Sequence, residues 1–332
     1  MISGHSESLI KDVKGPDYSG FIYSEFKNYP EIYLIPSPLH HYTQFSNEEA
    51  EEWISENEIK ESSSFFQTPD DNYRSLVRRC IDLTRQWDSF ESTDMGNGCS
   101  KVVVSRVSRQ KCAISPLELF GRLNEAYPSA CVFIFSTNLH GTWIGASPEP
   151  ILQVSDGKIS SLSLAGTRWD DNEEEWDIKN IQEQAIVTKF IASGFAKFGL
   201  NPTLNGPFTL KAGPVMHLAT EISAQGELED FRLLRYLCPT PALSGFPREK
   251  AIAEIMTGEQ PHRSCYGGLI GWVNNNRNYS SYANLRSGRY DLLSSSIDLR
   301  AGGGITHLSQ PEKEWEETEK KLQTLIKFIE KR

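Results

Sequence analysis

A chain of 332 residues, 38% hydrophobic and 11% aromatic, can bury a large core as one big domain or two ordinary ones, which excludes disorder over most of its length. A formal net charge of −10 offers no basic face for phosphates, which excludes nucleic acid as the expected partner and obliges any anionic small molecule to meet locally placed cations or a bound metal ion. The six cysteines, at 80, 99, 112, 131, 238 and 265, show neither a CxxC pair nor disulfide-scaffold spacing, so a reducing compartment is expected.

The opening MISGHSESLIKDVKG lacks the apolar region of a signal peptide, and no apolar run is long enough to span a bilayer, so the expectation is a soluble cytoplasmic protein without a membrane partner. Over residues 20–45, FIYSEF and EIYLIPS read as strands joined by loops. Over residues 70–87, Tyr73, Leu76, Val77, Cys80, Ile81, Leu83 and Thr84 recur with helical spacing. The loop after it, residues 88–99, is rich in Ser, Asp, Gly and Asn and is the best place for a break. Thereafter VVVSRV, ACVFIFST, FTLKAG, GGLIGWV, YSSYANLRS and SSSIDLRAG read as strands, with helices beginning near residues 116, 173, 228, 248 and 312. The order is not a regular βαβ repeat. It implies an α+β fold with large antiparallel or mixed sheets, helices outside them and no internal repeat.

Three features are odd on physical grounds. On the helix beginning near 173, Glu183 falls on the apolar stripe of Ile186, Val187, Phe190, Ile191 and Phe198. A carboxylate there must pair, bind a metal ion, or reach water or a lysine from the edge of the stripe. On the last helix, which opens on the capping-box spacing of Ser309 and Glu312, Glu314, Glu317 and Lys321 share a strip beside the face of Trp315, Leu322, Leu325, Ile326 and Ile329. That triplet is either a solvated ion pair or a place for a metal ion and an anion's counter-charge. The glycines of AGGGIT either make a tight turn or let a ligand approach the backbone. No HExxH, GxxxxGK[ST], GxSxG or zinc-knuckle spacing occurs, so metalloprotease, P-loop and serine hydrolase readings lack support.

KVVVSR at 101–106, IGASPEP at 144–150, SLAGTR at 163–168, the Glu183 helix, HLATEI at 217–222 and CPTPALSGFPREKA at 238–251 together resemble the chorismate-utilising enzymes. The resemblance continues through YGGLIGWV at 266–273, NLRS at 284–287, AGGGI at 301–305 and EWEETEKKL at 314–322. That family includes isochorismate, salicylate, anthranilate and aminodeoxychorismate synthases. The resemblance implies a single large α+β domain of two packed, mostly antiparallel sheets with outer helices. It also implies a shortened N-terminal part of that fold over residues 1–75 and a catalytic region over 76–332.

The resemblance further implies chorismate as substrate and Mg²⁺ as cofactor. Lys101 maps onto the base that takes a proton from water at C2, and Glu149 onto the acid that protonates the departing C4 hydroxyl. The family's ammonia-using branches typically lack that lysine, so the motif set is closest to a water-using isochorismate synthase feeding menaquinone or siderophore synthesis. No obligatory glutaminase subunit is then expected. Salicylate synthase is the nearest rival, and a chorismate-binding protein without catalysis is a rival of another class. A neutral lysine requires its pKa to fall from about 10.4 to about 7.4, which costs roughly 4 kcal/mol. The acid needs the opposite displacement. Glu183 and Glu317, with Glu314 close by, map onto the metal carboxylates, and Arg286 and Lys321 onto the counter-charges of the substrate carboxylates. Gly166, Thr167, Tyr266, Gly302, Gly303 and Gly304 map onto substrate contacts. His217 is expected near the leaving hydroxyl, or else is a packed structural histidine. Where family members often read KDxxEH around the metal carboxylate, this chain has Asn180 and Gln184.

Overall fold

Among the described residues, the apolar faces of the helices pack against one of two sheets. The structure, a computed structural model, describes residues 8–9, 19–27, 31–36, 52, 54–55, 67–90, 99–168, 175–212, 215–228, 230–275 and 277–330. The larger sheet has nine strands in the order β1 (Ser8–Leu9), β3 (Tyr33–Pro36), β2 (Gly20–Tyr23), β12 (Leu269–Asn275), β13 (Asn278–Ala283), β7 (Pro150–Ser155), β8 (Lys158–Arg168), β10 (Val215–Gln225) and β9 (Thr203–Ala212). The smaller has six, in the order β11 (Gly245–Phe246), β4 (Lys101–Lys111), β15 (Ser296–Ile305), β14 (Ser287–Asp291), β6 (Gly141–Ser147) and β5 (Cys131–Thr137). The paired strands run antiparallel throughout the described residues.

Among the described residues, helices α1 (Asp70–Phe90), α2 (Pro116–Ala126), α3 (Ile178–Lys197), α4 (Arg232–Leu237), α5 (Arg248–Gly258) and α6 (Pro311–Ile329) cover the sheets. Val187, Phe190, Ile191 and Phe195 of α3 pack with Leu233, Leu234 and Leu237 of α4 against Leu152, Ile159 and Ile222 of the larger sheet. Leu119 and Leu123 of α2 join Leu322, Leu325 and Ile329 of α6 on Ile144, Ile297 and Leu299 of the smaller. Tyr73, Val77 and Cys80 of α1 meet Ala251 and Ile255 of α5 over Val102 and Val104 of β4. Between the sheets, Tyr23, Ile35 and Ile270 share a cluster with Phe133, Phe135 and Trp143. Each such large apolar side chain contributes about 1.5–3 kcal/mol through burial. Two of the chain's crossings from one sheet to the other are short and lie along the seam between them, at 148–149 between β6 and β7 and at 284–286 between β13 and β14.

Local differences from the sequence reading have local causes. Helix α1 continues to Phe90, and Asp88 within it accepts a hydrogen bond from the Ser100 amide and faces His307 Nδ1 at 2.8 Å; residues 91–98 of the expected break lie outside the described residues. Helix α3 begins at Ile178 instead of near 173, because the Asp177 carboxylate caps it by accepting from the Asn180 amide at 2.7 Å. Helix α4 begins at Arg232 instead of near 228, after Asp230 accepts from the Arg232 amide. The capping box on α6 does not form: Ser309 Oγ accepts instead from the Thr306 amide, and Gln310 stands at the cap position. AGGGI is no turn; Ala301–Ile305 is the end of β15, in register with residues 102–106 of β4.

Candidate active site

The seam holds a cleft, and the crossings between sheets supply its acid and its arginine. Glu149 follows Ser147 and Pro148 off the end of β6; its amide donates to Ser147 Oγ at 3.3 Å and its carbonyl accepts from the Ala283 amide at 2.9 Å. The residue is 8% exposed. Burial pushes the carboxyl up to about 7, although Lys101, Lys321 and Arg286 all pull it down. Arg286 sits in the other crossing with a backbone φ of 48°, in the left-handed region where non-glycine residues are uncommon. Its carbonyl accepts from the Ala146 amide at 3.0 Å, and Asn284 Oδ1 accepts from Ser287 Oγ at 2.6 Å across the same turn.

The larger sheet contributes Gly166, Thr167 and His217. The register between β8 and β10 shifts at His217, a bulge that re-aims its side chain. His217 Nδ1 lies 2.8 Å from the Gly166 carbonyl, which can only accept, so Nδ1 carries the proton and Nε2 the free lone pair. Burial, then Arg286, lowers this histidine to about 4, so it is neutral at physiological pH. Gly166 has φ 73°, and a Cβ there would lie 2.8 Å from Asn180 Oδ1. Tyr266, just before β12, has its hydroxyl pushed up to about 12 by burial and so remains a proton donor.

The smaller sheet and two helices build the charged wall. Lys101, the first residue of β4, is 3% exposed and its Nζ lies 3.1 Å from Glu183 Oε2. Glu183 also meets Lys179 at 3.4 Å, one helical turn earlier on α3. Lys179 donates to Glu314 Oε1 at 2.6 Å. Lys321 of α6 donates to the Gly302 carbonyl at 2.8 Å and pairs with Glu317 at 2.6 Å. Burial works against the Lys179 ammonium, but Glu183, Glu314 and Glu317 hold its pKa well above the usual lysine range. The helical carboxylates diverge: burial raises Glu314, whereas Glu317, though burial opposes it, is held low by Lys321 and Lys179. The glycines of β15 make room for these groups. A Cβ at Gly304 would fall on Lys101 Cε and 2.5 Å from Glu183 Oε2, and one at Gly303 would lie 2.9 Å from Glu314 Oε2.

Thus Lys101, Glu149, Gly166, Thr167, Glu183, His217, Tyr266, Arg286, Gly302, Gly303, Gly304, Glu317 and Lys321 line one cleft. Glu314 does not. It lies behind the wall on the buried line of α6, not on the strip beside it. The sequence reading passed over Lys179, whose signal was a lysine four residues before an inward-facing glutamate, and Arg263 and Arg300. Those two arginines also line the cleft and flank the buried Glu259 carboxylate from 2.6 and 3.8 Å. Among the described residues no three acidic, histidine or cysteine side chains are gathered tightly enough to hold a metal ion as they stand. Magnesium, however, is usually held by one or two carboxylates together with waters and substrate oxygens. Glu183 and Glu317 offer that hard donor set at the cleft, and Glu314 Oε2 is buried without a hydrogen-bonding partner. The residues therefore fit a divalent cation.

A model of the chorismate binding enzyme family matches residues 40–330. Isochorismate synthase MenF of Bacillus subtilis is 35% identical over 213 residues, 59% of this chain and 44% of that protein. Anthranilate synthase component 1 of Lactococcus lactis is 27% identical over 271 residues, 77% of this chain and 56% of that protein. This chain therefore spans about half the length of these relatives. The crystal structure of DhbC from Bacillus anthracis superposes with a TM-score of 0.73 at 23% identity, covering 96% of this chain and 85% of that one, and so shares the fold.

Proposed function

The chain belongs to the chorismate binding enzyme family, and within it we propose an isochorismate synthase that adds water at C2 of chorismate while the C4 hydroxyl departs. The observation that carries this reading is Glu149, a buried carboxyl raised to about 7 in the same cleft as Lys101. At neutral pH a large fraction of it is protonated, as an acid that must protonate a leaving hydroxyl requires. Lys101 is assigned the proton of the attacking water. Its Nζ is in ion-pair contact with Glu183, so acting as base requires that contact to loosen. Arg286 and Lys321 are assigned the substrate carboxylates, and neutral His217 a hydrogen bond accepted at Nε2 from a ring hydroxyl.

Glu183 and Glu317 would hold Mg²⁺, with Glu314 behind them; when bound, the ion supplies positive charge for the ring carboxylate and takes up that of Glu183. Water as nucleophile makes a glutaminase subunit unnecessary. Strands β1–β3 lie within the nine-stranded sheet, which supports reading them as part of the same fold as the catalytic region. Six free thiols support a reducing, cytoplasmic setting, and among the described residues no helix is long and apolar enough to cross a membrane.

Incubating purified protein with chorismate and Mg²⁺ and resolving the products by chromatography tests the proposal. Isochorismate is expected. Salicylate, or anthranilate on adding ammonium, would overturn it.

A further inference from the structure

Four charges of alternating sign run through the wall of the cleft: Lys101, Glu183, Lys179 and Glu314, separated by 3.1, 3.4 and 2.6 Å. Glu317 and Lys321 add a second pair at 2.6 Å. Three carboxylates are thus matched by three ammonium groups from the chain itself. A divalent cation entering this neutral cluster faces repulsion from nearby ammonium groups unless one of them leaves. The structure distinguishes which. Lys101 is 3% exposed and among the described residues is ion-paired with Glu183, whereas Lys179 bridges Glu183 and Glu314 and is 20% exposed at the edge of the cleft. A lysine on a four-carbon stem at that edge can swing its ammonium toward water or an anionic ligand while its backbone stays in α3.

We propose that Lys179 is an internal competitor for the divalent cation, a tethered ammonium that holds the charge of Glu183 and Glu314 until a metal ion displaces it. The inference rests on the reading that Glu183 is a metal ligand. It also gives a reason for the unpartnered Glu314 Oε2 beside Gly303: one oxygen of that carboxylate is used by the lysine and the other is unused while the lysine stays. A merely structural Lys179, tying α3 to α6, has the opposite consequence, because its removal would loosen the carboxylates and weaken metal binding.

Titration of the full chain with Mn²⁺, read by electron paramagnetic resonance of the free ion without substrate, separates the two. Lys179→Met is expected to bind Mn²⁺ at least about tenfold more tightly than the wild type. Lys179→Arg, which keeps the positive charge, is expected to stay within about threefold or to bind more weakly, and it serves as the test should the methionine variant fail to fold. Unchanged or weaker binding by Lys179→Met, or tighter binding by Lys179→Arg, overturns the inference. Glu183→Gln in the same titration addresses the underlying reading: retained Mn²⁺ binding removes Glu183 as ligand and the inference with it. Lost binding there beside an unchanged Lys179→Met overturns the inference alone.

Discussion

Glu149 and Glu183 are carboxylates of one cleft, almost equally buried, and the fold treats them in opposite ways. Glu149 is placed by a chain crossing between sheets, where neighbouring positions are Pro148 and Pro150 and no described ammonium or guanidinium is in ion-pair contact with it. Burial then dominates, and the acid rises to about 7. Glu183 is placed by a helix, and helical spacing brings Lys179 onto the same face one turn away while β4 brings Lys101 from the other side. It therefore stands between two lysine side chains. The difference teaches that depth alone does not decide a carboxylate's role; the element that delivers it decides whether a cation comes into ion-pair contact with it.

The largest expected effects come from removing the groups that the comparison makes distinct. Lys101→Ala should lower kcat by about 10² to 10⁴, the usual contribution of a positioned general base, with KM changed little because Arg286 and Lys321 remain. Steady-state kinetics on chorismate measure both, and a variant with near wild-type turnover would move the base elsewhere, His217 first. Glu149→Gln keeps a hydrogen-bond donor but no acidic proton, so kcat should collapse while KM stays within a few fold. In the wild type, activity should fall as pH rises past about 7, where Glu149 loses its proton. A limb that persists in Glu149→Gln belongs to another group.

Much of the Glu183 side was legible in the sequence, and almost none of the Glu149 side. A carboxylate on an apolar helical stripe contradicts its surroundings and can be found by counting, as can the triplet on α6. Counting along one helix also offered Lys179, but not that it would bridge to Glu314 on another. Nothing in SPEP says that Glu149 is buried, since its burial comes from two sheets meeting; only resemblance singled it out. Strand β6 hid for a related reason. All seven residues of GTWIGAS are buried, so it lacks the period-two alternation of a strand with one wet face. The glycines of β15 invited a turn because their lack of side chains was read as backbone freedom, whereas the fold uses it as space for Lys101 and the carboxylates.

That use of space gives the next expectation. Gly304→Ala puts a methyl group onto Lys101 Cε and within 2.5 Å of Glu183 Oε2, so the pair must shift. Overpacking of this kind costs about 1 to 3 kcal/mol, and displacing a proton acceptor by about 1 Å can cost about 10² in rate. Thermal melting and kcat together check it. Unchanged turnover would mean that the Lys101–Glu183 contact is not the arrangement used in catalysis.

The smallest effect, and the one that isolates the environment of Glu149 from its chemistry, is on stability. The folded state raises this carboxyl from 4.5 to about 7, so between those values the native protein holds a proton that the unfolded chain has released. Stability attributable to Glu149 is therefore greatest below about pH 4.5 and is lost as pH rises through about 7, the sign opposite to that of an ion-paired carboxylate. At 1.36 kcal/mol per pH unit the ceiling is about 3 kcal/mol, and relaxation of the site would leave about 1 to 2. Glu149→Gln removes the ionisation, so it should be more stable than the wild type by that amount at pH 8 and nearly equal at pH 4.5. Denaturant midpoints at the two pH values measure the gap. A gap that does not widen with pH would mean that water reaches Glu149, and the contrast with Glu183 would then reduce to which lysine stands nearby.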